Sequence, residues 1–125
     1  MKKIKLTQKT LERLEKGRDM DANEIVYLIR SSGSIMFSWG AESWTNVGGR
    51  GLAFRVNGLI FKGTVAITLN AMDYFDIDFI DMKGKLKKSV TDVFVGDLIE
   101  ILDNNIENTE NYQEDLKNLQ KAYHG

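Results

Sequence analysis

Two aspartates, Asp76 and Asp78, are the residues of this chain whose type and spacing come closest to a catalytic or metal-binding pair. On a β-strand both carboxylates would point to the same side, about 7 Å apart. That separation can hold a divalent cation or support acid–base chemistry. The residues that follow lack the third oxygen ligand and the glycine of a calcium-binding loop. We therefore expect a solvated sheet face, with Thr, Ser and Lys neighbours compensating the charge, and no bound metal or cofactor.

Catalysis by other residue types is equally hard to assemble. The single histidine, His124, is the penultimate residue, and the chain has no cysteine. The candidate general bases and nucleophiles are therefore carboxylates, lysines and tyrosines. A Ser/His/Asp site is disfavoured, and thiol catalysis and cysteine-ligated zinc are excluded. We expect no catalytic residue and a non-enzymatic protein.

The glycine-rich segment Gly40–Gly51 gives the best binding hypothesis in the sequence. Trp44 and Arg50 lie in it, and a tryptophan beside an arginine on a flexible loop has the composition of a protein-interface hot spot. Packing of Trp44 over a sheet edge is the competing interpretation. Trp39 is in phase with the apolar residues before it and is expected in the core. The glycines match neither the Walker pattern nor the dinucleotide-binding fingerprint.

A set of basic residues offers an alternative function. Four lysines surround a predicted turn at Lys83-Gly84, and two further basic residues lie on neighbouring strands. An accessory nucleic-acid-binding protein would contact phosphates through Arg55, Lys62, Lys85, Lys87 and Lys88. Aspartates interrupt this surface, and most aromatic residues are predicted to face the core rather than to form stacking platforms. Protein binding is therefore preferred, with nucleic-acid binding kept as the second hypothesis.

Composition is that of an ordinary globular domain. The chain has 125 residues, 42% of them hydrophobic and 28% charged, with a net charge of −1. This charge gives no general attraction to nucleic acid or membranes, although residues 2–18 are mainly basic and residues 97–115 contain acidic but no basic residues. No segment has the length of a membrane span or the apolar run of a signal peptide. We expect a cytoplasmic protein without membrane contact, and oligomeric state stays open.

Two short helices are predicted before the first strand. Thr7 is placed to cap the first, and Gly17 to end it in the left-handed conformation. Asp21 and Glu24 have the spacing of a capping box, in which Asp21 accepts the amide at the third helical position and Glu24 reaches back. The apolar stripe that follows predicts that the second helix lies on the sheet.

Alternating apolar residues predict the strands. The first is expected at Ile35–Trp39, followed by a loop or a bulged edge strand within Gly40–Gly51. Asn57-Gly58 is the preferred pair for a two-residue type I′ hairpin turn, which would place Val56 opposite Leu59. The same turn would pair Phe54 with Phe61.

A second connection, Asn70–Tyr74, follows the hairpin and lets Leu69 pair with Phe75. By the same count Ile67 meets Ile77, and Val65 meets Phe79. A last turn near Lys83-Gly84 returns Leu86–Val90 alongside this strand. The pattern therefore predicts an antiparallel meander.

Apolar residues from Val95 to Ile106 recur at helical spacing and predict a helix over the sheet. Another helix, capped by Thr109, is expected to pack on the domain or on a partner. The prediction is a single α+β domain over residues 1–125. It comprises an amino-terminal helical segment, a four- to five-stranded β-meander and one or two carboxy-terminal helices packed on one face.

Several segments resemble a group of small uncharacterised proteins carried on bacterial mobile genetic elements and prophage-like regions. The segments that carry the resemblance are Lys16–Glu24, Ser38–Ala41 and Trp44-Thr45, and the likeness extends through Asn57-Gly58 to the region Lys62–Leu69. Some members have histidines just after the Asn-Gly turn, where this chain has Leu59-Ile60-Phe61. The resemblance therefore implies a genomic setting, but neither an activity nor a metal site.

Overall fold

The computed structural model describes residues 4–31 and 39–107 of the chain. The elements are α1 (Gln8–Lys16), α2 (Ala22–Arg30), β1 (Glu42–Val47), β2 (Gly51–Asn57), β3 (Lys62–Leu69), β4 (Phe75–Asp81), β5 (Leu86–Val93), a 3₁₀ turn (Val95–Asp97) and α3 (Leu98–Ile106). The five strands form one sheet in chain order, and every neighbouring pair is antiparallel. The predicted α+β class and antiparallel meander are confirmed.

Two predicted elements lie outside the described residues. They are the strand Ile35–Trp39, of which only Trp39 is described, and the helix expected to begin at Thr109. Trp39 itself is fully buried, as predicted. Its Nε1–H donates to Asp103 Oδ1 on α3 at 2.9 Å, so the buried indole nitrogen has a partner. In the part of the chain that the structure describes, no helix combines the length and the apolar character needed to cross a membrane.

One face of the sheet carries the hydrophobic core beneath α2 and α3. Alternate positions of the strands point into it, as the period of two requires. The sheet contributes Leu52, Phe54, Val56, Val65, Ile67, Phe75, Ile77 and Phe79 to this core. The helices contribute side chains at helical spacing, including Ile25 and Ile29 from α2 and Leu98, Leu102 and Ile106 from α3. The prediction that the second helix lies on the sheet is confirmed.

The opposite face is also covered, and the expectation of an open, solvated face is wrong. Helix α1 lies over β3 and β4 on this side. Four polar residues of these strands are buried there: Thr64, Thr68, Asp76 and Asp78. The physical reason is that α1 presents polar side chains to the sheet, and Thr10 donates to Asp78 at 2.8 Å. Asp78, which looks solvated in the sequence, is therefore buried beneath a helix that supplies one of its hydrogen-bond donors.

The predicted register of the β2–β3 hairpin is wrong. Val56 pairs with Gly63 and Phe54 with Val65, so the connection is the four-residue segment Gly58–Phe61. Neither Asn57 nor Gly58 has the positive φ that a type I′ turn needs. Because each partner moves by an even number of residues, the same side chains of β2 stay on the core face.

The remaining turns agree better with the sequence pattern. Leu69 pairs with Phe75, and the pairing continues along β3 and β4 in the predicted register. Gly48 and Gly49 both have positive φ, and Arg50 N–H closes the turn on Val47 O at 3.1 Å. The two consecutive positive-φ residues expected at Asn57-Gly58 are therefore found in the β1–β2 hairpin instead.

Both edge strands are irregular. The pairing of β1 with β2 shifts between Glu42 and Thr45, and Ser43 between them has a φ of 58°. Of the two alternatives expected within Gly40–Gly51, a loop or a bulged edge strand, the structure has the bulged edge strand. At the other edge, the pairing of β5 with β4 shifts twice, and Asp92 has a φ of 57°.

The helix ends show two further corrections. Thr7 caps α1 through its hydroxyl, which accepts from Thr10 N at 3.3 Å. Gly17 at the other end is extended, with a φ of −81°, and not left-handed. A Cβ there would lie 2.6 Å from Leu69 O, so close approach to β3 explains this glycine. Asp21 accepts from Asn23 N, at the second helical position instead of the predicted third.

Candidate functional site

The loop Gly58–Phe61, called the 58–61 loop below, holds two large apolar side chains out to solvent. Leu59 is 68% exposed and Ile60 is 47% exposed. A backbone hydrogen bond spans the loop, because Gly58 N–H donates to Phe61 O at 3.0 Å. Phe61 packs against the core, with its ring edge-on to Phe79 at 5.5 Å between ring centroids.

The carboxy-terminal end of α3 fixes this loop. Ile60 N–H and Phe61 N–H both donate to Ile106 O, at 3.0 and 3.3 Å. Leu59 N–H donates to Glu107 Oε2 at 2.8 Å. The last carbonyls of a helix have no partner within it, so the loop supplies the donors that they need.

Gly58 is required for this contact. A Cβ at this position would lie 2.2 Å from Ile106 O, closer than any side chain allows. The sequence signal Asn57-Gly58 was therefore correct about a turn, but the glycine serves close approach to α3 and not a left-handed conformation. The result is a loop whose backbone is held in place while Leu59 and Ile60 face outward.

The structure gives Trp44 and Arg50, the predicted partner-binding residues, contacts within the chain. Trp44 is half-buried and stacks on Phe54, with ring centroids 4.5 Å apart and an interplanar angle of 27°. Arg50 Nη1 donates to Leu14 O at 3.2 Å and to Glu15 O at 3.1 Å, at the end of α1. Both side chains therefore have structural roles within the chain.

The basic residues of the second hypothesis do not form one groove. Arg55 and Lys62 line a common cleft of about 260 Å³, where Arg55 Nη2 contacts Met82 Sδ at 3.2 Å. Lys88 instead turns toward α3 and donates to Asn105 Oδ1 at 2.6 Å. Lys87 Nζ lies 3.6 Å from Asp81, which neutralises part of its charge.

Asp81 organises the β4–β5 turn between these lysines. Its Oδ1 accepts the backbone N–H groups of Lys85 and Lys83, each at 2.9 Å. The Lys85 N–H first, then the Lys83 N–H and the charge of Lys87, lower the pKa of Asp81 below its ordinary value. The carboxylate is therefore part of the turn and not a free acidic group.

Asp78 forms a buried charge cluster with Arg13 of α1. Asp78 is only 1% exposed, and Arg13 Nε donates to its carboxylate at 3.1 Å. Thr10 donates to Asp78 Oδ2 at 2.8 Å, and Ser89 donates to Oδ1 at 2.6 Å. The acceptor capacity of Asp78 is filled, which favours a structural role.

Asp76 has a different environment from Asp78. Its Oδ1 accepts from Asn70 Nδ2 and from Asp92 N, both at 3.1 Å. Its Oδ2 has the weaker contact with Arg13 Nη1, at 3.5 Å. Sequence reasoning missed the pairing with α1. The available signal was Thr10 and Arg13, whose spacing of three places them on one helix face.

Among residues 4–31 and 39–107, no group of three or more His, Cys, Asp or Glu side chains is placed to hold a metal ion. Comparison of the chain with protein families, with curated proteins and with solved structures finds no match.

Proposed function

We propose that this chain is a small non-enzymatic interaction module that binds a protein partner through the 58–61 loop. The observation that carries the proposal is the exposure of Leu59 and Ile60 on a backbone fixed by Ile106 and Glu107. Apolar side chains on a preordered loop lose little conformational entropy on binding, so more of their burial contributes to affinity. A partner with an apolar pocket would take these two side chains as anchors.

The anchors of this proposal differ from those that the sequence favoured. Trp44 and Arg50 support the proposed module by holding β1 to the core and by capping α1. Substituting them would disturb the fold near β1 rather than remove a contact with the partner. The proposed setting is the cytoplasm of a bacterium that carries a mobile genetic element.

Affinity capture from the native cell tests the proposal. The wild-type chain is compared with the double variant L59S/I60S and with Met72→Ser, whose side chain is 73% exposed on the β3–β4 loop. We expect a protein that the wild type and Met72→Ser retain and that L59S/I60S loses, with or without nuclease treatment. Equal retention by all three chains would overturn the proposed surface.

The second candidate function is nucleic-acid binding through the cleft of Arg55 and Lys62. Their presence in one cleft supports it, together with the exposed Lys85 and Lys87 nearby on the β4–β5 hairpin. Binding of labelled DNA and RNA at increasing salt provides the test. A steep loss of affinity with salt, together with loss of binding in K85E/K87E, would favour this function over the first.

A further inference from the structure

A cavity of about 330 Å³ lies between α1 and the β3–β4 connection, on the face away from α2 and α3. Of the eight residues that line it, six are charged or polar. These six are Lys9, Glu12, Arg13 and Lys16 from α1, and Asn70 and Asp76 from the sheet side. A cavity of this size is at the lower end of the range for small-molecule sites.

The acceptor that faces this cavity has unused capacity. Asp76 is buried, and its Oδ1 already accepts two N–H groups. Its Oδ2 has one contact, with Arg13 Nη1 at 3.5 Å, which is at the limit of a hydrogen bond. An ionised carboxylate offers about four acceptor positions. The acceptor positions of Asp78 are occupied by donors from Thr10, Ser89 and Arg13. Asp76 can still accept a hydrogen bond from a ligand.

Donors lie on the helix side of the same cavity. Lys9, Arg13 and Lys16 follow at spacings of four and three, so they share one face of α1. Arg13 is held by the two aspartates. Neither Lys9 nor Lys16 forms an ion pair with a described residue, and seven positions separate them by about 10 Å along the axis. The cavity therefore combines a buried acceptor with cations at its rim.

From this arrangement we infer that the cavity binds a small zwitterion. Its ammonium group donates to Asp76 Oδ2, and its carboxylate accepts from Lys9 or Lys16. A simple anion would meet the negative charge of Asp76 and Glu12, and a simple cation would meet three basic side chains. A molecule that carries both charges matches both sides of the site.

A series of ω-amino acids tests the inference because it varies the distance between the two charges. The probes are glycine, 4-aminobutyrate and 6-aminohexanoate, with acetate, methylamine and inorganic phosphate as single-charge comparisons. Each is titrated into the ¹⁵N-labelled full chain, and amide shifts are followed by NMR. We expect saturable shifts at Lys16, Gly17 and Ala71 for one of the amino acids, and none for acetate or methylamine at the same concentration.

Variants locate the site. Asp76→Asn should weaken the affinity at least about tenfold, since it removes a charged acceptor. If Asp76→Asn does not fold, the exposed double variant K9Q/K16Q gives the same test, and Lys83→Gln in the β4–β5 turn is its matched control. Saturation by phosphate alone, absence of saturation by every zwitterion, or unchanged affinity in K9Q/K16Q would each overturn the inference.

Discussion

Arg13 on α1 donates its Nε–H to Asp78 Oδ2 on β4 at 3.1 Å, and this pair joins the amino-terminal helix to a buried position of the sheet. An ion pair at such a position does not add much stability by itself, because both groups lose their hydration. Loss of one partner, however, leaves the other charge buried. The pair therefore makes correct docking of α1 a condition for a stable fold.

Arg13→Ala is expected to lower the free energy of unfolding by about 3 kcal/mol, because Asp78 is left with an uncompensated charge. Urea denaturation followed by circular dichroism measures the change. The double variant R13A/D78N should recover part of the loss. Arg18→Ala is the control, since its pair with Asp73 is exposed and should contribute less than about 1 kcal/mol. Equal losses in Arg13→Ala and Arg18→Ala would contradict the prediction.

Gly58→Ala is expected to destabilise the fold by about 2 kcal/mol, because the new Cβ would overlap Ile106 O and push α3 away from the loop. Thermal and urea unfolding give the measurement. Gly96→Ala is a suitable control, because its Cβ would meet the Phe94 side chain at 3.2 Å, which can move. A Gly58→Ala protein as stable as Gly96→Ala would show that the close approach of the loop to α3 is not needed.

Glu107→Ala should loosen the 58–61 loop without unfolding the domain. The Leu59 N–H loses its acceptor at 2.8 Å, so its hydrogen exchange should accelerate at least about tenfold. Exchange followed by NMR reports this directly. Glu100→Ala on the exposed side of α3 is the matched control. The proposed function further requires that Glu107→Ala weakens partner capture, since a mobile loop must be ordered on binding.

Thr68→Val should leave stability unchanged or raise it by up to about 1 kcal/mol, which is opposite to the usual effect of a core substitution. Among the described residues, the Thr68 hydroxyl is buried without a hydrogen-bond partner, and valine has nearly the same shape. Thr10→Val is the control with the opposite sign, because it removes the hydrogen bond to Asp78. Denaturant unfolding of both variants decides the matter, and a marked loss in Thr68→Val would indicate an unseen partner.

The β4–β5 turn should weaken in acid. The lowered pKa of Asp81 means that the folded state binds its proton less readily than the unfolded state does. The stabilisation is therefore present above the ordinary pKa of 3.8 and is lost as the pH falls through the lower, folded value. NMR titration should give an Asp81 midpoint below 3.8, and Asp81→Asn should remove this part of the acid dependence. A midpoint at or above 3.8 would contradict the assignment.

The sequence pattern predicted those features of the fold that depend on residues close together in the chain. The β3–β4 register followed from the hydrophobic alternation on either side of Asn70–Tyr74, and the structure has it. The β2–β3 register did not follow, because the end of α3 accepts hydrogen bonds from the loop and overrides the local preference of Asn57-Gly58. That contact joins residues nearly fifty positions apart, such as Leu59 and Glu107, and no local pattern records it.

The candidate sites likewise depend on contacts between residues that are far apart in the sequence. Exposure of Leu59 could not be read from the sequence, since Leu59 fits the apolar alternation of the predicted strand, whereas Ile60 falls on the opposite, open face of that strand. Burial of Asp78 was also hidden, because an aspartate at an alternate strand position normally faces water. Its partner Arg13 belongs to a helix more than sixty residues away, and the basic run around it suggested a solvated surface.

The bulges at Ser43 and near Asp92 affect how this molecule can meet others. In the sheet formed by the described residues, the ladder of amide and carbonyl groups is irregular along both β1 and β5. These irregularities disfavour the addition of a strand of another molecule at either edge. The partner proposed above would therefore be bound by side chains on turns and helices, such as Leu59 and Ile60, and not by an added strand.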